Sequence, residues 1–263
     1  MQQISTLSEH AAAVMILSLL AFFTAMLLTP IYTQYAYKYK WWKKRDRTHS
    51  TSGEKLSVIA QLRIKRTIPR MAGLIMVITV AIITIALNLD RGQTWLPLAA
   101  LVAGGAVGLI DDIIYISGKG GKVVGLSAKV KFVMITVIAT VAALFFYYKL
   151  GYSTIYVPLY GHLSIGWLLI PLFILVVVST SNAVNISDGI DGLAGGLLMY
   201  AFAAFGVIAM FQENYGIAGF CFTAVGALLA YVWFNIAPAR FVKAVGHDLD
   251  SDAFRCCRRT GFS

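Results

Sequence analysis

Seven apolar stretches recur along this chain, at 11–36, 71–88, 95–116, 130–148, 166–187, 193–212 and 217–236, with polar connections between them. Each is close to the roughly 20 residues a helix needs to cross the hydrocarbon of a bilayer. They are too long and too apolar for helices that lie along a membrane surface, which carry a charged face. In lipid the backbone must pair its own polar groups within the segment, so the pattern predicts seven helices. The connection 149–165, with Tyr, Val, Ile and Pro residues around Gly161, is expected to form a small hairpin. The expected fold is an all-α membrane protein, a polytopic bundle of about seven transmembrane helices. It forms one domain over residues 1–241, followed by an atypical tail over 242–263.

Composition agrees. The 263 residues are 59% hydrophobic and only 13% charged, with a mean hydropathy of +0.75. A soluble domain carries about a quarter charged residues, and its single core stops growing near this length. The net charge of +10 would suggest nucleic acid in a soluble protein. Here the cations lie between apolar runs, so topology accounts for them and no nucleic-acid partner is expected. If 37–70 is cytoplasmic, that loop holds 11 Lys and Arg, segment 117–131 holds 4 and the tail after Ala239 holds 5. The other side keeps only Arg91 and Lys149, a strong positive-inside bias. The N-terminus is therefore expected outside and the tail inside. No basic run precedes Ala11 and no small-residue cleavage site follows, so the first span reads as retained. Cys221, Cys256 and Cys257 match neither a metal spacing nor a disulfide framework.

The acidic residues carry the chemistry. Of twelve, Glu9, Asp90 and Glu213 fall outside, Asp46 and Glu54 lie in the basic loop, and Asp248, Asp250 and Asp252 lie in the tail. The remaining four, Asp111, Asp112, Asp188 and Asp191, sit at cytoplasmic helix ends. Asp111 and Asp112 have apolar residues on both sides. A lone Asp there would simply mark the membrane boundary. Two adjacent carboxylates repel unless a cation or proton intervenes, and charge at that depth is costly without a role.

Asn182, Asn185, Asp188 and Asp191 recur every third position, so consecutive members are neighbours on a helix surface. A strict three-residue step drifts around an α-helix, so the run is expected to turn or break near Gly189 and Gly192. Asparagines alone would be explained by hydrogen bonds between helices; two amides plus two carboxylates before glycine would not. The basic loop ends in Lys65, Arg66, Pro69 and Arg70, placed to meet phosphate or simply anionic headgroups. Carboxylates hold Mg²⁺, which binds substrate phosphates, and cations offset the remaining charge. Phosphoryl transfer needs little else. No P-loop or dinucleotide glycine pattern appears. The Gly104-x-x-x-Gly108 and Gly192-x-x-x-Gly196 spacings read as close helix packing. An ion-coupled transporter is the rival, but it wants acids near the bilayer midplane.

Residues 182–196 (NAVNISDGIDGLAGG), 108–112 (GLIDD), 125–131 (GLSAKVK) and Lys65-x-x-x-Pro69-x-Met71-x-Gly73 together resemble the polyprenyl-phosphate N-acetylhexosamine-1-phosphate transferase family, most of all its bacterial peptidoglycan branch. The resemblance covers residues 29 to about 241 in the same order. It implies transfer of a sugar-1-phosphate, with N-acetylmuramoyl-pentapeptide phosphate favoured, from a UDP-sugar to undecaprenyl phosphate with release of UMP. A relative handling N-acetylglucosamine-1-phosphate for another envelope glycan is the alternative. By the same resemblance Asp111, Asp112 and Asp188 are the catalytic acids, and Asn185 stands near the Mg²⁺. Lys65, Asn182, Gly189, Ile190, Asp191 and Asn235 belong to substrate binding. A multi-pass place in the bacterial inner membrane, a cytoplasmic site and a possible homodimer are implied too.

After Asn235 the resemblance breaks. The family continues with a Phe–Met–Gly–Asp–x–Gly–Ser stretch whose Asp binds Mg²⁺, where this chain reads Phe241-Val-Lys-Ala-Val-Gly-His247-Asp248. The family has about ten spans and a histidine-rich loop, whereas His10, His49, His162 and His247 are isolated here. The expectation is a truncation or reading-frame slip near residue 241, leaving an inactive remnant as a third reading. Sequencing the gene through that point is the check: an uninterrupted native frame ending at Ser263 would overturn it.

Overall fold

The computed structural model describes residues 2–39, 71–89, 94–117, 128–151, 153–157, 159–187 and 192–235. The basic loop with Lys65, Arg66 and Arg70, the run from Asp188 to Asp191 and the tail lie outside them.

Among the described residues, seven α-helices form where the apolar pattern places them: α1 (Gln2–Lys38), α2 (Gly73–Leu87), α3 (Trp95–Ser117), α4 (Ala128–Leu144), α5 (Leu169–Ser187), α6 (Leu193–Phe211) and α7 (Tyr215–Asn235). Many of these segments, such as GLIMVITVAIITIAL in α2, are rich in β-branched residues that lower helix propensity in water. In hydrocarbon the choice is different, because a helix satisfies every peptide group without solvent. Threonine hydroxyls join in by donating to the carbonyl one turn back. Examples are Thr29 to Ala25 O at 2.7 Å and Thr223 to Gly219 O at 2.7 Å.

Six of these described helices are long and apolar enough to span a bilayer. The seventh, α2, has 15 residues and so rises about 22 Å, short of the ~30 Å core. It ends at Asn88, whose side-chain amide donates to Gly216 O at 2.9 Å, while the Thr94 hydroxyl donates to Asn88 O at 2.9 Å. The expected hairpin is present: β1 (Thr154–Val157) pairs antiparallel with β2 (Gly161–Ser164), Ile155 opposite Leu163. A π-helical turn, Phe145–Lys149, precedes it, and a 3₁₀ turn, Gly166–Leu168, leads from it into α5. The chain is thus a polytopic all-α membrane protein.

The centre of the bundle is α7, the most buried of the spans, with α1 and α6 packed along it. Lipid tails are as apolar as leucine, so close backbone approach rather than hydrophobicity drives such packing. At Gly226 an added Cβ would stand 2.0 Å from the Ser18 carbonyl oxygen of α1. The two glycine spacings singled out in the sequence are off by one residue. Gly104, Gly108 and Gly196 face open space, whereas a Cβ on Gly105 would meet Val77 at 2.9 Å and one on Gly195 would meet Val232 at 2.7 Å. One residue turns a helix face by about 100°, so spacing alone does not say which member of a Gly-Gly pair faces the neighbour.

The helices run up and down, so their ends collect at two levels. At one level Tyr32 and Ala36 at the end of α1 pack with Ile75 at the start of α2 and Ala230 near the end of α7. At the other, Val14 of α1 packs with Ala209 of α6 and Ala218 of α7, and the His10 ring stacks on Tyr215 at 3.9 Å.

Replacing Gly226 by alanine is expected to cost about 1–3 kcal/mol, the usual range for overpacking. Gly104→Ala, with nothing within 4 Å of the new methyl, should be close to neutral. Thermal unfolding of the two detergent-solubilised variants compares them directly.

Candidate active site

The level at which α1, α3, α5 and α7 end and α2, α4 and α6 begin carries the polar groups. Asp111 and Asp112 stand in the last turns of α3. As neighbours on a helix they point about 100° apart, and the fold uses that divergence. Asp111 turns to α4, where its Oδ2 lies 2.6 Å from Lys131 Nζ. The Asp111 side chain is 18% exposed and that of Lys131 36%, so water screens the pair only in part. Asp112, half-buried, turns toward α1, close enough for its charge to act on the phenol of Tyr32, on which Tyr231 of α7 acts as well. The repulsion between adjacent carboxylates is therefore relieved by giving one of them a cation and the other a different neighbourhood.

An open cleft of about 310 Å³ lies between α2, α5, α6 and α7. Its lining mixes polar and apolar groups: Ser181 and Asn185 of α5 and Tyr231 of α7 line it with Gly73, Met76 and Leu228. Asn185 and Ser181 share a face because they are four residues apart on the helix. Asn182 is exposed on α5 and is not part of the cleft wall. At the end of α7 the Asn235 side-chain amide donates to the Tyr231 hydroxyl at 3.3 Å, which ties that residue to the cleft. Of the break expected near Gly189 and Gly192, Gly189 lies outside the described residues, while α5 ends at Ser187 and α6 starts at Leu193. Gly192 caps α6 in the left-handed region at φ 83°, a conformation glycine adopts without strain.

Thus Asp111, Asp112, Asn185 and Asn235 are brought to one level, Asn182 stands outside the cleft, and Lys65, Asp188, Gly189, Ile190 and Asp191 fall outside the described residues. Sequence reasoning missed Tyr32 and Tyr231 and the specific pairing of Lys131. The signals were faint: Tyr231 is four residues before Asn235, and Tyr32 is a phenol within an apolar span. For a metal, the Asn185 amide offers an oxygen donor of the kind Mg²⁺ takes. Among the described residues no three His, Cys, Asp or Glu side chains come together as a metal cluster.

Fold and site together describe a helical membrane protein whose acids, amides and lysine gather where seven helix ends meet. Residues 94–242 match glycosyl transferase family 4, and the chain belongs to that family. Over 210 residues it is 37% identical to a phospho-N-acetylmuramoyl-pentapeptide-transferase of Chloroflexus aurantiacus, covering 76% of this chain and 57% of the relative. Proteins of the same name from Chloroflexus aggregans and Listeria monocytogenes are 38% and 35% identical, each over 65% of this chain and 49% and 54% of their own lengths. The chain spans about half the length of the curated relatives it matches.

A double-mutant cycle between Asp111→Asn and Lys131→Met, read by thermal unfolding in detergent, is expected to give a coupling of about 0.5–1 kcal/mol for this partly screened pair. Simply additive losses would show that the contact contributes nothing to stability.

Proposed function

We propose that this chain carries out, or forms the core of a protein that carries out, the transfer of N-acetylmuramoyl-pentapeptide phosphate from its UDP-linked donor to undecaprenyl phosphate in peptidoglycan synthesis. An oxygen of the lipid phosphate attacks the sugar-bearing phosphorus of the donor. The bond from that phosphorus to the UMP oxygen breaks, and UMP leaves. Asp112 acts as the base that takes the remaining proton of the lipid phosphate, whose second ionisation lies near neutrality. Lys131 holds Asp111 in place and brings positive charge to the site where phosphates gather. Asn185 and Asn235 offer amides to the sugar or phosphates, and Lys65, Asn182, Asp188, Gly189, Ile190 and Asp191 complete the substrate contacts.

Mg²⁺ would be held by Asn185, with Asp188 a further donor; when bound it would neutralise charge on the donor's diphosphate. The excess of Lys and Arg on the site side supports a cytoplasmic site in a bacterial inner membrane, with the N-terminus outside. That side is also where UDP-sugars are made. A homodimer is compatible with this arrangement.

The single observation that carries the reading is the separation of Asp111 from Asp112. One carboxylate is paired with a lysine and the other acts on the Tyr32 phenol, in a chain belonging to glycosyl transferase family 4. The transporter reading is not favoured, because the acids stand at one end of the bundle rather than at its middle. The test is UMP release from UDP-N-acetylmuramoyl-pentapeptide with undecaprenyl phosphate and Mg²⁺. Asp112→Asn is expected to lower the rate by about 10²–10⁴-fold, the usual loss for a general base. Failure to release UMP by a version extended to the relatives' full length, or full activity in Asp112→Asn, would reject the proposal.

A further inference from the structure

At the level opposite the site, the hairpin between α4 and α5 leaves its apolar side chains uncovered. Leu159 and Tyr160 at its tip are 103% and 88% exposed, and Tyr156 on β1 is 67% exposed. The strands pack chiefly on each other rather than on a helix. A two-stranded hairpin on its own is at best marginally stable in water. No Asp, Glu, Lys or Arg occurs anywhere from residue 150 to residue 187, so the strands themselves carry no such charge and the exposed Lys149 stands just before their base.

Its base is tied to the start of α5. The Ser153 carbonyl accepts from the backbone N–H groups of Ile165 and Gly166 at 2.9 and 3.1 Å, which closes the hairpin directly onto the turn that starts α5. Just beneath, Phe146 meets Phe173 at 5.2 Å between ring centres. Tyr148 and Trp167, both exposed, flank that level, and tyrosine and tryptophan collect where headgroups meet hydrocarbon. Depth is limited from both sides. Open strand edges bear unpaired N–H and C=O groups that cannot enter hydrocarbon, and uncovered Leu and Tyr side chains are disfavoured in bulk water.

We propose that the hairpin Thr154–Ser164 lies in the headgroup layer of the bilayer, its Leu159–Tyr160 tip immersed among lipids, as an interfacial anchor for α4 and α5. The occupant of the exposed surface is lipid. The anchor sets the height of the two helices that carry Lys131 and Asn185 at their far ends, and it does not depend on the reaction proposed above.

The test uses the full chain in phospholipid nanodiscs, with Cys221→Ala, Cys256→Ser and Cys257→Ser as background. Leu159→Cys carries an environment-sensitive nitrobenzoxadiazole dye. The expected result is a blue-shifted emission relative to the dye–cysteine adduct in buffer. Iodide quenching should be severalfold weaker than for that adduct, and spin labels on lipid headgroups or shallow acyl positions should quench more strongly than mid-chain labels. Full iodide access without lipid quenching would place the hairpin in water and overturn the proposal. Strongest quenching by mid-chain labels would overturn it in the other direction. Shielding from both quenchers that vanishes when each disc holds one chain would assign the surface to a second copy instead, and would overturn it as well.

Discussion

In hydrocarbon a peptide group has no water to bond, and every other feature of this protein follows from that. The chain must cross as helices even where its β-branched side chains would resist helix formation in water. It must also keep its ionisable groups at helix ends, where solvent and partners are available. The up-and-down course of the described helices produces two such levels. One carries the Asn88–Thr94–Gly216 hydrogen bonds, the His10–Tyr215 stack and the hairpin. The other collects Asp111, Asp112, Lys131, Asn185 and Asn235. Chemistry concentrates on one face because the interior of the bundle cannot hold it.

What lets seven helix ends meet closely enough to form a site is the thinness of α7. Its buried residues are mostly small, among them Ala218, Gly219, Ala224, Gly226, Ala227 and Ala230, so α1 can lie with the Ser18 carbonyl against Gly226. Bringing α1 that near places Tyr32 beside Tyr231 and within reach of Asp112. The residues of α1 and α7 that shape the site are thus held by packing several turns away from it.

The divergence of Asp111 and Asp112 also changes how an adjacent pair of acids is understood. A helix imposes about 100° between successive side chains, so two neighbours in sequence meet different partners in space. Lys131 on α4 answers one of them at 2.6 Å. The other is left to the Tyr32 phenol. Two chemically identical groups thereby acquire different duties without any change in residue type.

The number and order of the spans, the hairpin at 149–165 and the residue types of the site were legible in the sequence. Partition into lipid is a property of a local stretch, and a charge within an apolar run is visible wherever it occurs. The limits of α2 were less legible, because Asn88 ends the helix through bonds to Gly216 and Thr94, a distant partner and a near one. Tertiary structure alone decided that Gly105 and Gly195, rather than Gly104 and Gly196, face their neighbours, and that Asn185 lines the cleft while Asn182 does not. It alone showed that Lys131 takes Asp111, and that Tyr32 and Tyr231 join the site. Each of these depends on which side of a helix meets another helix, and with backbone pairing satisfied inside every span, that orientation is set only when the helices pack.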